Sequence, residues 1–119
     1  MLSDIVRETE LALTLFDSIM PMTLNDGNSI AIKTTPTTDD NYRLNGGRTY
    51  VLGIQVLVRH NKWQTAWKTI QDINDLWQFK RLPIDGLTNI QATTNPNFID
   101  KTEHKEYEFT AIYNFEFER

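Results

Sequence analysis

Residues Thr49 to Phe79 constrain the fold more than any other stretch, because a two-faced apolar strand there runs straight into a helix carrying all three tryptophans. Tyr50, Leu52, Ile54, Val56 and Val58 alternate with Val51, Gly53, Gln55, Leu57 and Arg59, so one face is wholly apolar and the other partly so. Such a strand belongs in the middle of a sheet. Asn61 with Gln64 three positions later makes a capping-box-like start for the helix that follows. In it, Trp63, Ala66, Trp67, Ile70, Ile73 and Trp77 recur at the three-and-four spacing of one face, while Lys62, Lys68, Gln71, Asp72, Asp75 and Gln78 fall elsewhere.

The flanks of this block supply the remaining elements. Ser3 is placed to cap a first helix with Asp4 at its positive end, Ile5, Thr9, Ala12, Phe16 and Ile19 mark one face, and Pro21 stops it. Asn25-Asp26-Gly27-Asn28 is a turn signal, and Ser29 to Lys33 reads as a short strand with Ile30 and Ile32 on one side. Leu87 to Thr93 is a further strand, Asn95-Pro96-Asn97 a turn, and a closing strand follows. In it Tyr107, Phe109, Ala111, Tyr113, Phe115 and Phe117 alternate with Glu106, Glu108, Thr110, Ile112, Asn114, Glu116 and Glu118. Extended, it spans on the order of 45 Å at roughly 3.3 Å per residue, against ~17–20 Å for a typical strand. It therefore bends at a bulge or reaches beyond its own domain. The expected fold is α+β: a mostly antiparallel sheet of about four strands with two helices on one face, in the order helix-strand-strand-helix-strand-strand.

A chain of 119 residues is one domain's length, and residues 1–119 carry no repeat, linker or second composition. The exception to regular patterning is Thr34 to Arg48, a polar loop rich in breakers. Connections longer than about 12–15 residues in compact domains are functional or disordered as a rule. As a linker this loop is unremarkable; as a binding arm it offers Tyr42, Arg43, Leu44 and Arg48, with tyrosine and arginine the types favoured as interface anchors.

Composition excludes several function classes. With 12 basic and 16 acidic residues the net charge is −4, which offers no positive field for a nucleic-acid backbone, although DNA could pass such a surface without sticking. The absence of cysteine removes disulfides, thiol nucleophiles and thiolate metal sites, and favours synthesis in the cytoplasm. Acidic residues around Arg7 are the reverse of a targeting leader, and the run Leu11 to Met22 is too short and too broken to cross a bilayer, so no membrane partner is expected.

The search for reaction chemistry is equally unproductive. Ser3, Ser18 and Ser29 lie in no nucleophile elbow, and His60 and His104 lack metal-ligand spacing. Asn45-Gly46-Gly47-Arg48 has glycines but not the lysine and hydroxyl of a phosphate loop, and it precedes a strand. Asp72 and Asp75 read as a solvated helix face beside Lys68. The tryptophans divide between core, subunit interface and ligand pocket. The glutamate row of the closing strand is either the wet face of a sheet or a charged wall toward a partner or channel. No catalytic residue, cofactor or metal is expected.

In size, pattern and element order the chain resembles the tail-terminator proteins of long-tailed bacteriophages, also labelled minor capsid or head-tail joining proteins. The likeness rests on the first helix ending at Ile19-Met20-Pro21, the passage from Ile54-Gln55-Val56-Leu57-Val58-Arg59 through Trp67-Lys68-Thr69-Ile70, and the aromatic strand Tyr107 to Phe117. It covers nearly the whole chain and contains no signature motif. It implies a non-enzymatic virion protein, assembled in the host cytoplasm, that forms a homohexameric ring at the head-proximal end of the tail tube. Its partners would be other copies of itself, the tube protein and the head-completion or connector protein, with DNA passing through the ring without sequence-specific binding. Tyr42, Arg43, Leu44 and Arg48 would then contact a neighbour or the tube, and Glu106, Glu108 and Glu116 would face the channel. Two other readings stay open: a head-completion or adaptor ring on the connector, and an α+β enzyme or ligand-binding module with Trp63 and Trp67 around a pocket.

Overall fold

A computed structural model of the chain describes residues 2–16, 18–21, 27–35, 49–79, 82–101 and 105–118. In chain order the elements are α1 (Leu2–Ala12), β1 (Ile19–Pro21), β2 (Ser29–Thr35), β3 (Thr49–His60), α2 (Trp63–Phe79), β4 (Leu87–Lys101) and β5 (Tyr107–Glu118). The strands form one sheet in the order β1-β2-β3-β5-β4. The α+β class expected from the sequence is observed, with five strands rather than about four.

The extra strand is β1, which pairs in parallel with β2 and makes the sheet mixed. Its residues were expected at the end of the first helix, since Phe16 and Ile19 continue the helical spacing. The helix instead stops at Ala12, and Glu10 Oε2 accepts the Ile19 backbone N–H at 2.9 Å, tying the new strand back to the helix. Ile19 is buried opposite Ile30, so the same apolar side chain serves a strand as well as it would a helix. Pro21 is tolerated because β1 is an edge strand. Ser3 lies inside the first turn of α1 rather than capping it.

β3 is central, as its two-faced pattern requires. It pairs antiparallel with β2 on one side, and on the other with β5 without a break from Thr49↔Glu118 to His60↔Tyr107. β5 neither bends nor projects alone. It is flanked along its length by β3 and by the 15-residue β4, and the domain is drawn out to 50 × 28 × 21 Å. The irregularity sits in β4, whose pairing shifts four times. The expected turn at Asn95-Pro96-Asn97 is one of these shifts, inside a continuous strand. Proline survives there because β4 is the other edge, and side chains repair the broken ladder: Thr88, Thr93 and Asn97 donate to the β5 carbonyls of Glu116, Ile112 and Thr110 at 3.1–3.3 Å.

Register assigns each strand two faces. Ile30, Ile32, Ile54, Val56, Val58, Phe109, Tyr113, Phe115 and Phe117 share one face and are buried with Ile5 of α1 and Ala66, Ile70 and Ile73 of α2. α1 lies against β1 and β2, and α2 across β3, β5 and β4. Trp77 is the keystone between them. Its ring meets Tyr113 and Phe115 edge-on at 4.9 Å, and its indole N–H donates to Thr9 Oγ1 at 3.0 Å. That hydroxyl in turn donates to the Ile5 carbonyl at 2.7 Å.

Candidate functional site

The first candidate surface is the sheet face that turns away from both helices. β3 contributes Val51, Gln55, Leu57 and Arg59 to it, and β5 contributes Glu108, Thr110, Ile112, Asn114 and Glu116. Its polar groups pair across the strands. Arg59 Nη2 lies 3.2 Å from Glu108 Oε1, with each side chain 21% exposed. Gln55 Nε2 donates to Thr110 Oγ1 at 3.0 Å, and Thr110 donates on to the Val56 carbonyl. Asn89 Nδ2 of β4 donates to Glu116 Oε2 at 2.8 Å. Leu57, Val51 and Ile112 are half-buried between these pairs. The result is a polar face with apolar inserts, its charges tethered rather than waving.

Of the three glutamates expected to line a channel, Glu108 and Glu116 lie on this face. Glu106 departs from the expected row: it precedes β5, is buried at 7% exposure, and its Oε2 sits beside Gly27, whose φ of +77° turns the chain into β2. Its place in the alternation suggested an outward side chain; lying just outside the strand, it is not bound by the alternation. Tyr42, Arg43, Leu44 and Arg48 fall outside the described residues, as do the glycines of Asn45–Arg48.

The second surface involves the tryptophans, whose helical spacing put them on one face and left core, subunit interface and ligand pocket open: Trp77 is fully inside, while Trp63 is 49% and Trp67 37% exposed. The buried face of α2 is built instead from Ala66, Thr69, Ile70, Ile73, Leu76 and Trp77. The backbone carbonyl of Lys62 accepts the first helical bond, from Ala66, so α2 starts one residue later than a cap at Asn61 implies. Its first two turns lie over the end of the sheet where β4 and β5 meet. There Trp67 packs on Phe109 at 5.5 Å, Phe109 meets Phe98 at 5.5 Å, and Phe98 meets Tyr107 at 6.2 Å. Phe98 is 51% exposed, and Lys101 Nζ stands 5.1 Å over the Tyr107 ring.

The third surface is an open groove of about 420 Å³ between α2 and the segment that follows α1. Leu15 and Phe16 line it from one side, and Gln64, Thr65, Lys68, Thr69 and Asp72 from the other, with Lys68 Nζ 2.7 Å from Asp72. It continues along Leu13 toward Glu10 and toward Asp75. Phe16 meets the His60 ring edge-on at 4.7 Å, and His60 Nδ1 accepts the Lys62 backbone N–H at 3.0 Å. Partial burial, and then the charge of Lys62, hold the His60 imidazole below its usual pKa of 6.5.

Among the described residues no three acidic or histidine side chains converge as a metal would require, and no helix is long and apolar enough to cross a membrane. Tyr113 is the most perturbed acid: burial, and then the charge of Asp75, push its phenol well above the ordinary range. Its hydroxyl donates to Asn74 Oδ1 at 2.6 Å in the packed layer between α2 and the sheet. Comparison of the chain with protein-family models and with curated proteins gives no match.

Proposed function

We propose that the chain is a structural virion protein of the tail-terminator kind. Six copies form a ring on the head-proximal end of a phage tail tube, end its polymerisation and join the tail to the head. The observation that carries this reading is the sheet face turned away from α1 and α2: β3 and β5, each 12 residues long, hold tethered polar pairs and half-buried apolar residues there. Such a face suits contact with neighbours or a channel wall better than it suits substrate capture. In the proposed ring Glu108 and Glu116 belong to the channel side, while Glu106 is already withdrawn. Tyr42, Arg43, Leu44 and Arg48 remain the proposed contacts to a neighbouring copy or to the tube. The mechanism is geometric: one ring face copies the surface that tube subunits offer each other and the opposite face does not, so addition stops. No cofactor enters it, and DNA traverses a net acidic protein without specific binding.

Native mass measurement and negative-stain imaging of the purified protein test the proposal. The expected species is a ring with a central hole near 83 kDa, six times the 13.9 kDa chain. A twelvefold ring would transfer the protein to the connector as an adaptor. A chain that stays monomeric at every concentration, and also in the presence of tail tubes, overturns the ring altogether.

A further inference from the structure

One imidazole ring joins the segment after α1, the end of β3 and the start of α2. The segment after α1 is fixed at both feet: the Leu13 N–H donates to the Thr9 carbonyl at 3.2 Å, and the Ile19 N–H donates to Glu10 Oε2 at 2.9 Å. Between these feet Phe16 meets the His60 ring edge-on at 4.7 Å while forming part of the groove wall. The same ring serves the entry to α2. Both backbone N–H groups that lead into the helix find side-chain acceptors: Asn61 N–H on Asn28 Oδ1 at 2.9 Å, and Lys62 N–H on His60 Nδ1 at 3.0 Å. The Lys62 carbonyl then accepts the first helical bond, from Ala66, at 3.1 Å.

The bond to His60 exists in one protonation state. Nδ1 accepts a hydrogen bond only in the neutral ring whose proton sits on Nε2, whereas the imidazolium has two donors and no acceptor. Protonation in place would set two N–H groups against each other across 3.0 Å, and turning the ring over would offer Lys62 a carbon instead of a nitrogen. The ring therefore has to leave its seat, and Phe16 rests on that ring. The position adds a second cost, because the N-terminus of α2 is the positive end of its dipole.

The charges around His60 act in the same direction. On α2 the nearest is Lys62, which with partial burial holds the imidazole below its usual pKa, and Lys68 further along is paired with Asp72. On β5 the residue in register with His60 is Tyr107, which has Lys101 Nζ over its ring, and Lys105 and the buried Glu106 lie just before that strand. On β3 itself Arg59 turns to the opposite sheet face and pairs with Glu108. Glu10 of α1 is bound to the Ile19 N–H, and residues 13–16 bring no charge.

We propose that Phe16, His60 and Lys62 form an acid-released latch: neutral His60 holds residues 13–16 closed beside α2, and its protonation frees them and opens the groove wall. The device is independent of the ring proposal and operates within a single chain. Closing excludes one proton, so the ratio of closed to open latch falls as pH drops below 6.5, by up to about tenfold per pH unit.

Proton NMR on the full chain between pH 7.5 and 5.5, above the sequence pI of about 5.1, tests the latch. Three signals are followed: the His60 ring, the Lys62 amide and the nuclear Overhauser contact between the Phe16 and His60 rings. The ring contact is expected to weaken at least about threefold across this range, in step with the Lys62 amide and with the His60 titration, while circular dichroism stays that of pH 7.5. His60→Asn is the decisive variant, because an asparagine side chain accepts the N–H two residues on without titrating in this range. Its Lys62 amide should stay in place from pH 7.5 to 5.5, and the loss of one ring signal identifies His60. If His60 takes its proton and the contact with Phe16 keeps its intensity, the latch is overturned. It is overturned equally if the Lys62 amide moves with pH in His60→Asn as it does in the parent, or if His60 does not titrate in this range.

Discussion

The hydrogen bond from Trp77 to Thr9 is a buried polar link between α2 and α1, and Thr9→Val isolates it. Valine reproduces the shape of threonine and has nearly the same helix propensity, so neither packing nor α1 itself changes much. What changes is that the indole N–H of Trp77, 3% exposed, loses its acceptor at a site where Thr9 is fully buried. Stranding a buried donor costs about 1–3 kcal/mol, and placing a methyl where a hydroxyl stood returns up to about 0.8 kcal/mol, so the net loss is about 0.2–3 kcal/mol. For 119 residues the unfolding entropy is about 0.25 kcal/mol/K, which turns this loss into a Tm lower by about 1–12 °C.

A double-mutant cycle with Trp77→Phe gives the sharper measurement. Phenylalanine removes the N–H together with part of the ring, so alone it carries both the lost bond and a cavity cost of about 1–3 kcal/mol. In the Thr9→Val background the bond is already gone, and the same change should cost about 1–2 kcal/mol less. Urea unfolding followed by circular dichroism, at one fixed protein concentration, reads all four corners of the cycle. A Thr9→Val protein that melts within 1 °C of the parent, or a coupling below about 0.3 kcal/mol, would refute the assignment of this bond as the fastening between the helices.

Three further outcomes are expected. The raised pKa of Tyr113 means that its neutral form is favoured in the folded protein, so its contribution is complete below the ordinary phenol value of 10.0 and is lost as pH rises above it, at up to ~1.4 kcal/mol per pH unit. Alkaline unfolding should therefore flatten in Tyr113→Phe relative to the parent. The lowered pKa of His60 works the other way: its contribution is present above 6.5 and is lost as pH falls through that value. A proton-NMR titration of His60 should give a midpoint below 6.5 that rises in Lys62→Gln. On the open sheet face, a double-mutant cycle on Arg59 and Glu108 in the unassembled chain should give about 0.2–1 kcal/mol, diminishing with salt, because both side chains are still one-fifth exposed.

Legibility from sequence followed period and length. β3 and β5 were readable because twelve residues of alternation admit only one element, and α2 because its apolar spacing persists over 17 residues. β1 was hidden by its brevity: three residues cannot establish a period of two, and Ile19 fell on the helical spacing of the segment before it. β4 was read as a strand and a turn because proline normally ends a strand, and only the sheet order reveals that it lies at an edge where the missing donor costs nothing. The aromatic cluster was the least legible feature. Spacing gives the side of a helix on which Trp63, Trp67 and Trp77 lie, but not whether sheet lies beneath that side along the whole helix. Phe98 enters the cluster only through the β4–β5 register, which four shifts remove from any reading of sequence periodicity.

The two sides of the molecule make different demands on a ring, and this bears on which of them carries its cohesion. The open sheet face offers groups that already satisfy one another: Arg59 with Glu108, Gln55 with Thr110, Asn89 with Glu116. Covering them with another subunit would strip water from an ion pair that the partner cannot improve, and burying such pairs returns little net energy or costs some. Left against solvent, they cost nothing further and present a smooth, tethered polar wall. The helical side is the converse. Trp63, Trp67 and Phe98, each substantially exposed, gain by being covered. Energetically, then, the ring proposed here is held together through the flank of α2 that carries Trp63 and Trp67 and keeps the sheet face toward water. If single removal of Arg59 or Glu108 were found to abolish assembly while Trp63→Ser and Trp67→Ser did not, the sheet face would be the buried one and this assignment of sides would be inverted.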